Sequence, residues 1–276
     1  MANITASEVN KLRTRTGAGM MDCKKALVEA NGDFEAAIDI LRKKGQKIAA
    51  NRSDREANEG FVFTKVEGNN GVILLLSCET DFVAKNEEFG NVAKSLVDFA
   101  LANKVQTLEE LNEKTLPGDS VTIAVKVVDM MGKIGEKIAI SNYSFLTADK
   151  VIAYNHPGNR LGTLVAFNKN LDSLEEVGKQ VAMQIAAMNP VAIDQSGVSQ
   201  EVIDRELEVA KDLARQEGKP EEMLYKIAQG RLNKFFKEST LLNQELIIDN
   251  KKTVAQYLKE TDKELAVVDF KRVSLS

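Results

Sequence analysis

The sequence contains few of the residues that most often carry enzymatic chemistry or bind metals. Its two cysteines, Cys23 and Cys78, are too far apart for a Cys-x-x-Cys site, so we expect both thiols to be reduced and buried. The single histidine, His156, excludes paired-histidine zinc sites and leaves any Ser or Cys triad dependent on one ring. No P-loop and no dinucleotide fingerprint is present. These absences predict a protein that is not an enzyme and needs no cofactor or metal.

The chain also lacks long apolar runs and an excess of positive charge. None of its 276 residues lies in a stretch approaching the ~18 apolar residues of a membrane-spanning helix. The first residues, Met1 to Thr5, do not have the basic start and apolar core of a signal peptide. Lys and Arg number 37 against 41 Asp and Glu, giving a net charge of −4 and no basic field for a polyanion. We therefore expect a cytoplasmic protein that binds neither membranes nor nucleic acid directly.

The first 50 residues predict a bundle of three short helices. Thr5 and Glu8 have the spacing of a capping box, and the segment Thr16-Gly17-Ala18-Gly19 tolerates the positive φ that ends a helix. A second helix is expected from Met20 to about Ala30, and a third after Asp33, since apolar residues recur at three and four positions. From residue 43 to 59 the chain is polar and charged, which predicts a helix end that runs into a linker.

The rest of the chain predicts an α+β pattern that occurs twice. Two β-prone runs flank the turn residues 68–71, and a charged segment from Ser199 to Arg231 predicts two helices broken once at Gly218-Lys219-Pro220. We expect that segment to form a protruding helical hairpin. The other predicted elements are helices over 86–103, 120–134 and 174–188, and strands over 61–66, 72–76, 137–145, from 151, 162–167, 246–248 and 267–270. The last strands should return to the second α+β block.

Several segments of the chain have long and specific motifs. Leu12 to Leu27 reads LRTRTGAGMMDCKKAL and Cys78 to Asn86 reads CETDFVAKN. Three shorter motifs follow in the second half, GKPE at 218–221, IAQGRL at 227–232 and LLNQ at 241–244. In order and position these segments resemble the signatures of the bacterial elongation factor Ts family, and the resemblance covers nearly the whole chain.

This resemblance implies a guanine-nucleotide exchange factor for the translational GTPase elongation factor Tu, in its GDP-bound and nucleotide-free states. It implies a ubiquitin-associated-like bundle at residues 1–50 and α+β core subdomains at 55–145 and 146–276. The hairpin at 197–231 would interrupt the second subdomain as a dimerisation arm, so a homodimer is a further expectation. Some family members carry an additional C-terminal helical module, which we expect to be absent here.

Residues 80–83 have two interpretations. From spacing alone, Thr80 is a helix cap, Asp81 a first-turn acid, and Phe82 a core residue on one helical face with Phe89. The family resemblance implies instead that Thr80, Asp81, Phe82 and Val83 displace the Mg²⁺ of the partner GTPase. In that interpretation Phe82 is an apolar wedge and Asp81 holds the displaced polar groups.

The segment from Thr16 to Met21 is also open to two interpretations. It predicts either a helix-to-helix loop with two core methionines, or a platform of small residues flanked by adaptable thioethers that accepts a partner helix. His156 alone predicts a turn residue with one side-chain hydrogen bond. The resemblance favours partner contact for His156 and for a set in the bundle: Leu12, Arg13, Thr16, Gly17, Ala18, Gly19, Met20, Met21 and Lys24.

Three functions remain open at this stage. The first is nucleotide exchange without chemistry by the chain itself. The alternative is a non-catalytic adaptor whose N-terminal helical bundle binds a protein partner. A carboxylate-based hydrolase would need two buried acids in one cleft, which spacing does not exclude. Release of GDP from the matched GTPase distinguishes the first function from the second.

Overall fold

The computed structural model describes residues 4–275. Met1 to Asn3 and Ser276 lie outside that range, and so does most of the Met1 to Thr5 segment for which no signal peptide is predicted. Helices and small sheets alternate along this part of the chain, which confirms the α+β prediction. The helices are α1 Ala6–Thr16, α2 Met20–Glu29, α3 Phe34–Asn51, α4 Asp81–Ala84, α5 Glu87–Ala102, α6 Leu108–Glu113, α7 Ile123–Ile134, α8 Leu174–Met188, α9 Gln200–Gln216, α10 Glu221–Ser239 and α11 Val254–Thr261. The strands are β1 Glu59–Glu67, β2 Asn70–Cys78, β3 Ile138–Thr147, β4 Lys150–Asn155, β5 Leu161–Phe167, β6 Glu245–Leu246, β7 Asp249–Thr253 and β8 Val267–Ser274.

The strands form three small sheets. Their orders are β1-β2-β3, β4-β5-β8 and β6-β7, so the last strand returns to the second block as predicted. Strands β4 and β5 are antiparallel, with Lys150 opposite Phe167. The strand predicted over 246–248 is wrong in extent, because β6 ends at Leu246 and the exposed Ile247 and Ile248 lie in the turn that follows.

The chain divides into two compact units. The first contains the residues up to Phe63, then Leu74–Phe145 and the last residues from Ser274. The second contains Thr64–Ile73 and Leu146–Val273. No helix within residues 4–275 has the length and apolar character required to cross a membrane.

Within the first unit, α1 to α3 form the predicted three-helix bundle around a small apolar core. Thr5 and Glu8 make the capping box, in which the Glu8 carboxylate accepts the Thr5 backbone N–H at 2.8 Å. Leu12, Cys23 and Leu27 are fully buried in that core. Likeness to a ubiquitin-associated domain remains a prediction.

Helix α3 runs further than its sequence indicates. Its polar residues after 43 predict a helix end, yet the helix continues to Asn51 because it packs along α7. The two helices meet at a pair of glycines, where a Cβ atom added to Gly132 would lie 2.8 Å from the Gly45 Cα atom. Glycine at both positions allows the two backbones to approach closely.

Within the second unit, α9 and α10 form the predicted helical hairpin. They pack on each other through Ala210, Ala214, Leu224 and Ala228, all of which are buried. Helix α10 does not end at Arg231 as predicted but continues to Ser239. Its additional turns bury Leu232 and Phe236 against Ala192 and Val198 at the base of the hairpin, which explains why the helix extends there.

Candidate functional site

A short turn at the end of β2 exposes the apolar side chain of Phe82. Thr80 caps α4, and the Phe82 side chain is 84% exposed. The interpretation of Phe82 as a core residue in register with Phe89 is wrong. Helix α4 ends at Ala84, and Asn86 caps a separate helix, α5, by accepting the Glu88 N–H at 2.8 Å. Helical spacing therefore does not relate Phe82 to Phe89.

The residues beside Phe82 are polar or half-buried. The Asp81 carboxylate accepts a hydrogen bond from the Lys85 ammonium at 2.6 Å, and this bond lowers the pKa of Asp81 below its usual value. Val83 is half-buried, and its backbone N–H donates to the Thr80 hydroxyl at 3.5 Å. Asp81 thus stays ionised at neutral pH next to an exposed aromatic ring.

Contacts with the half-buried Glu136 and the buried Cys78 anchor Thr80. The Glu136 carboxylate accepts the Thr80 N–H at 3.0 Å and the Thr80 hydroxyl at 2.6 Å. The Cys78 thiol donates to the Thr80 carbonyl at 3.2 Å. Burial, and after it the charge of Glu136, raises the pKa of Cys78 to about 12, so its thiol is unreactive at neutral pH. Cys23 is buried as well, which confirms the predicted placement of both cysteines.

The first turn of α2, directly after the loop from α1, exposes two methionines. Met20 and Met21 are 52% and 63% exposed, so their interpretation as core residues is wrong. Gly17 ends α1 with a φ of 67°, a conformation that other residues adopt only with strain. Gly17, Ala18 and Gly19 have at most a methyl group as side chain, so no large side chain of this loop projects beside the two thioethers.

The structure changes the role of one predicted contact residue in this loop region. Leu12 is fully buried in the bundle core, so it supports the platform and cannot itself touch a partner. Thr16 is half-buried and donates its hydroxyl to the Leu12 carbonyl at 2.8 Å. Arg13 and Lys24 are exposed and available for contact.

A groove of about 880 Å³ in the first unit connects the platform to the helix that follows the Phe82 turn. Lys133 crosses this groove, with its side chain against Gly17 and its ammonium paired with Glu88. Asp129 also lines the groove, and burial raises its pKa above the ordinary value. Among residues 4–275, no group of three His, Cys, Asp or Glu side chains could hold a metal ion. The Lys133–Glu88 ion pair is therefore the feature that spans the groove.

His156 belongs to the second unit, in the turn after β4. Its backbone N–H donates to the Leu161 carbonyl at 2.9 Å, and its ring Nδ1 shares a hydrogen bond of 2.9 Å with the Tyr154 hydroxyl. The side chain is exposed. These bonds confirm the predicted turn residue with one side-chain hydrogen bond, while contact with a partner remains a prediction.

The sequence alone does not identify Glu136 or Lys133, nor Glu79, whose carboxylate accepts the Lys137 backbone N–H at 2.6 Å. Glu136 lies 56 positions from the Thr80 that it holds, and Lys133 lies 45 positions from Glu88. Local periodicity carries no information about such distant partners. One local signal points to a defined turn at Glu136: it directly follows Gly135, and a glycine in the left-handed conformation commonly ends a helix.

Comparison with known proteins identifies relatives over the whole chain. Residues 79–276 match a family model described as Elongation factor TS. A protein named Elongation factor Ts from Christiangramia forsetii is 52% identical over 277 aligned residues, covering all of both chains. Proteins of the same name from Amoebophilus asiaticus (52% identical, 98% of each chain) and Flavobacterium psychrophilum (50% identical, all of both chains) are also similar.

Proposed function

Because the chain belongs to the elongation factor Ts family and is thus a translation elongation factor, we propose that it is the guanine-nucleotide exchange factor of elongation factor Tu. In this proposal it acts in the cytoplasm, binds the GDP-bound GTPase, displaces its Mg²⁺ and promotes GDP release. It makes and breaks no covalent bond and is therefore not an enzyme. The observation that carries the proposal is the 84% exposure of Phe82 on an anchored turn.

The exposed ring supplies the driving force for displacement. Burying a phenylalanine side chain stabilises a complex by roughly 1.5–3 kcal/mol, and this gain is realised only when the ring enters the partner. A GTPase holds GDP through Mg²⁺ and phosphate contacts, so a ring that displaces their supporting residues weakens nucleotide binding. Thr80 and Val83 hold the backbone of the turn, and the ionised Asp81 can hold polar groups of the partner in their displaced arrangement.

The platform supplies contact that does not depend on the nucleotide. Met20 and Met21 are adaptable side chains on a low surface, and Arg13 and Lys24 lie exposed nearby. In the proposal, these residues and Thr16 to Gly19 bind the GTPase, and His156 adds a contact from the second unit. Thermodynamic reciprocity then requires that bound GDP lowers the affinity of the GTPase for this chain. The ratio is the same as that by which this chain lowers the affinity of the GTPase for GDP.

The test is release of a fluorescent GDP analogue from elongation factor Tu by catalytic amounts of the chain. Phe82→Ala should slow stimulated release by roughly 10- to 100-fold, a loss of about 1.4–2.7 kcal/mol, because the driving force of the wedge is removed. Its unfolding free energy should be unchanged, since the ring has little contact to lose. Tight binding without release by the wild-type chain would instead support the adaptor function.

A further inference from the structure

We propose that Glu136 is a positioning residue, which holds the Phe82 turn stiff so that the ring can push on the partner. The inference rests on the proposed exchange function and extends it to a residue outside the exposed surface. Helix α4 has four residues, of which Val83 and Ala84 are half-buried and none is fully buried, so apolar packing gives the turn little support. Its hydrogen bonds must supply the rest.

Glu136 controls the turn through both of its carboxylate oxygens. Oε2 accepts the Thr80 backbone N–H at 3.0 Å and Oε1 accepts the Thr80 hydroxyl at 2.6 Å. The hydroxyl oxygen in turn accepts the Val83 N–H. One carboxylate therefore orients Thr80, two positions before Phe82, and through the Thr80 hydroxyl also Val83, the residue after it. Charged acceptors make the stronger hydrogen bonds.

Lys137, the next residue, makes a parallel set of contacts to the end of the bundle. Its backbone N–H donates to Glu79 Oε1 at 2.6 Å, and its ammonium donates to the Ser53 carbonyl at 2.6 Å. Arg52, which follows α3, donates to the same Glu79 oxygen at 2.5 Å. Glu136 and Lys137 thus tie the Phe82 turn and the end of α3 to one short segment.

The same segment begins where α7 crosses the bundle. Gly132 lies against Gly45 of α3, and the chain then passes through the left-handed cap at Gly135 to Glu136. The bundle that carries the platform and the turn that carries Phe82 therefore share one support. Glu136 passes force on the Phe82 ring to this support because it holds Thr80 directly, whereas Lys137 and Arg52 hold Glu79, one residue further from the ring.

The variants that test this role change hydrogen bonds and leave volume almost unchanged. Glu136→Gln removes the negative charge and replaces one acceptor oxygen with an amide donor, so Thr80 loses both charge-assisted bonds and keeps a single, uncharged acceptor. Thr80→Val removes the hydroxyl, whereas Thr80→Ser keeps it and should rescue. Glu110→Gln is a matched control, because Glu110 also accepts a backbone N–H, that of Gln106, but at the start of α6.

In the GDP-release assay, Glu136→Gln should lower the maximal release rate by about tenfold, equivalent to about 1.4 kcal/mol. The concentration of factor that gives half-maximal release should change much less, since the platform is intact. Thr80→Val should behave like Glu136→Gln, and Thr80→Ser should recover most of the rate that Thr80→Val loses. Glu110→Gln should match the wild type. Hydrogen exchange at the amides of Thr80 and Val83 should accelerate in Glu136→Gln.

The decisive measurement is Glu136→Gln in the Phe82→Ala background. A residue that acts through the ring adds little further loss once the ring is absent, whereas independent effects add. Full additivity, or wild-type rates for both Glu136→Gln and Thr80→Val, would overturn the positioning role while leaving nucleotide exchange intact. A wild-type chain that does not accelerate GDP release would overturn both inferences.

Discussion

Replacing Gly132 by alanine should push α7 away from α3, the bundle helix on which it packs. The added Cβ atom would lie 2.8 Å from the Gly45 Cα atom, a backbone atom that cannot rotate away. Ordinary contact between carbon atoms requires about 3.5 Å or more, so α3 and α7 must move apart by roughly 0.7 Å. Overpacking of this kind costs about 1–3 kcal/mol.

The helix itself gains from the same substitution. Alanine is about 1 kcal/mol more favourable than glycine in a helix interior, which offsets part of the overpacking cost. Gly230 in α10 has no atom within 4 Å of an added Cβ and provides the matched control. We expect Gly230→Ala to raise the free energy of unfolding by about 1 kcal/mol. Gly132→Ala should lower it by roughly 1 kcal/mol, the net of the two opposing terms.

Urea denaturation followed by circular dichroism measures both variants against the wild type. The sign of the difference is the informative quantity, since both substitutions make the same chemical change in a helix. Equal stabilisation by Gly132→Ala and Gly230→Ala would show that α3 and α7 do not approach closely. The account of a bundle and a turn on one support would then be refuted.

Two further predictions concern buried groups. Burial raises the pKa of the Cys78 thiol to about 12. The contribution of the protonated thiol to the free energy of unfolding is therefore complete below the pKa that this thiol has in the unfolded chain. It is lost as the pH rises from about 9 towards 12. Disulfide reagents at pH 8 should therefore label Cys78 only after denaturation, and fast labelling of the folded chain would contradict its burial. Gln244→Met should lower the free energy of unfolding by about 2–3 kcal/mol, because it removes the amide donor to the part-buried Met188 and Glu238 carbonyls and an acceptor of the buried Gln184 amide. A smaller loss in urea denaturation would mean that water replaces the amide.

Local signals in the sequence predict much of the fold. The capping box at Thr5, the turn at Gly17 and the apolar periodicity of α8 each depend on neighbours within a few positions, and the structure confirms them. Helix α11 has a second capping box at Thr253, yet its sequence does not predict a helix, because the helix is only eight residues long. A helix of about two turns contains too few apolar repeats for its periodicity to be recognised in the sequence.

Several errors arise where residues distant in the sequence decide the outcome. Helix α3 continues past its last apolar turn because α7 packs along it, and α10 extends because Phe236 is buried at the hairpin base. The interpretation of Phe82 as core depends on an unbroken helix through Phe89, which the Asn86 cap prevents. Exposure of Met20 and Met21 likewise depends on what the bundle leaves uncovered.

Under the proposed exchange function, the two exposed surfaces must divide the work between them. Loosening GDP by 100-fold requires a coupling free energy of about 2.7 kcal/mol. Burial of the Phe82 ring offers roughly 1.5–3 kcal/mol, so nearly all of its gain would have to go into deforming the partner. Affinity must then come from elsewhere, and Met20, Met21 and their small neighbours are the exposed apolar surface in the first unit suited to supply it. A ring can deform its partner only if its own support deforms less than the partner does. Under this proposal, the half-buried contact between Glu136 and Thr80 is therefore as important to the function as the ring that it holds in place.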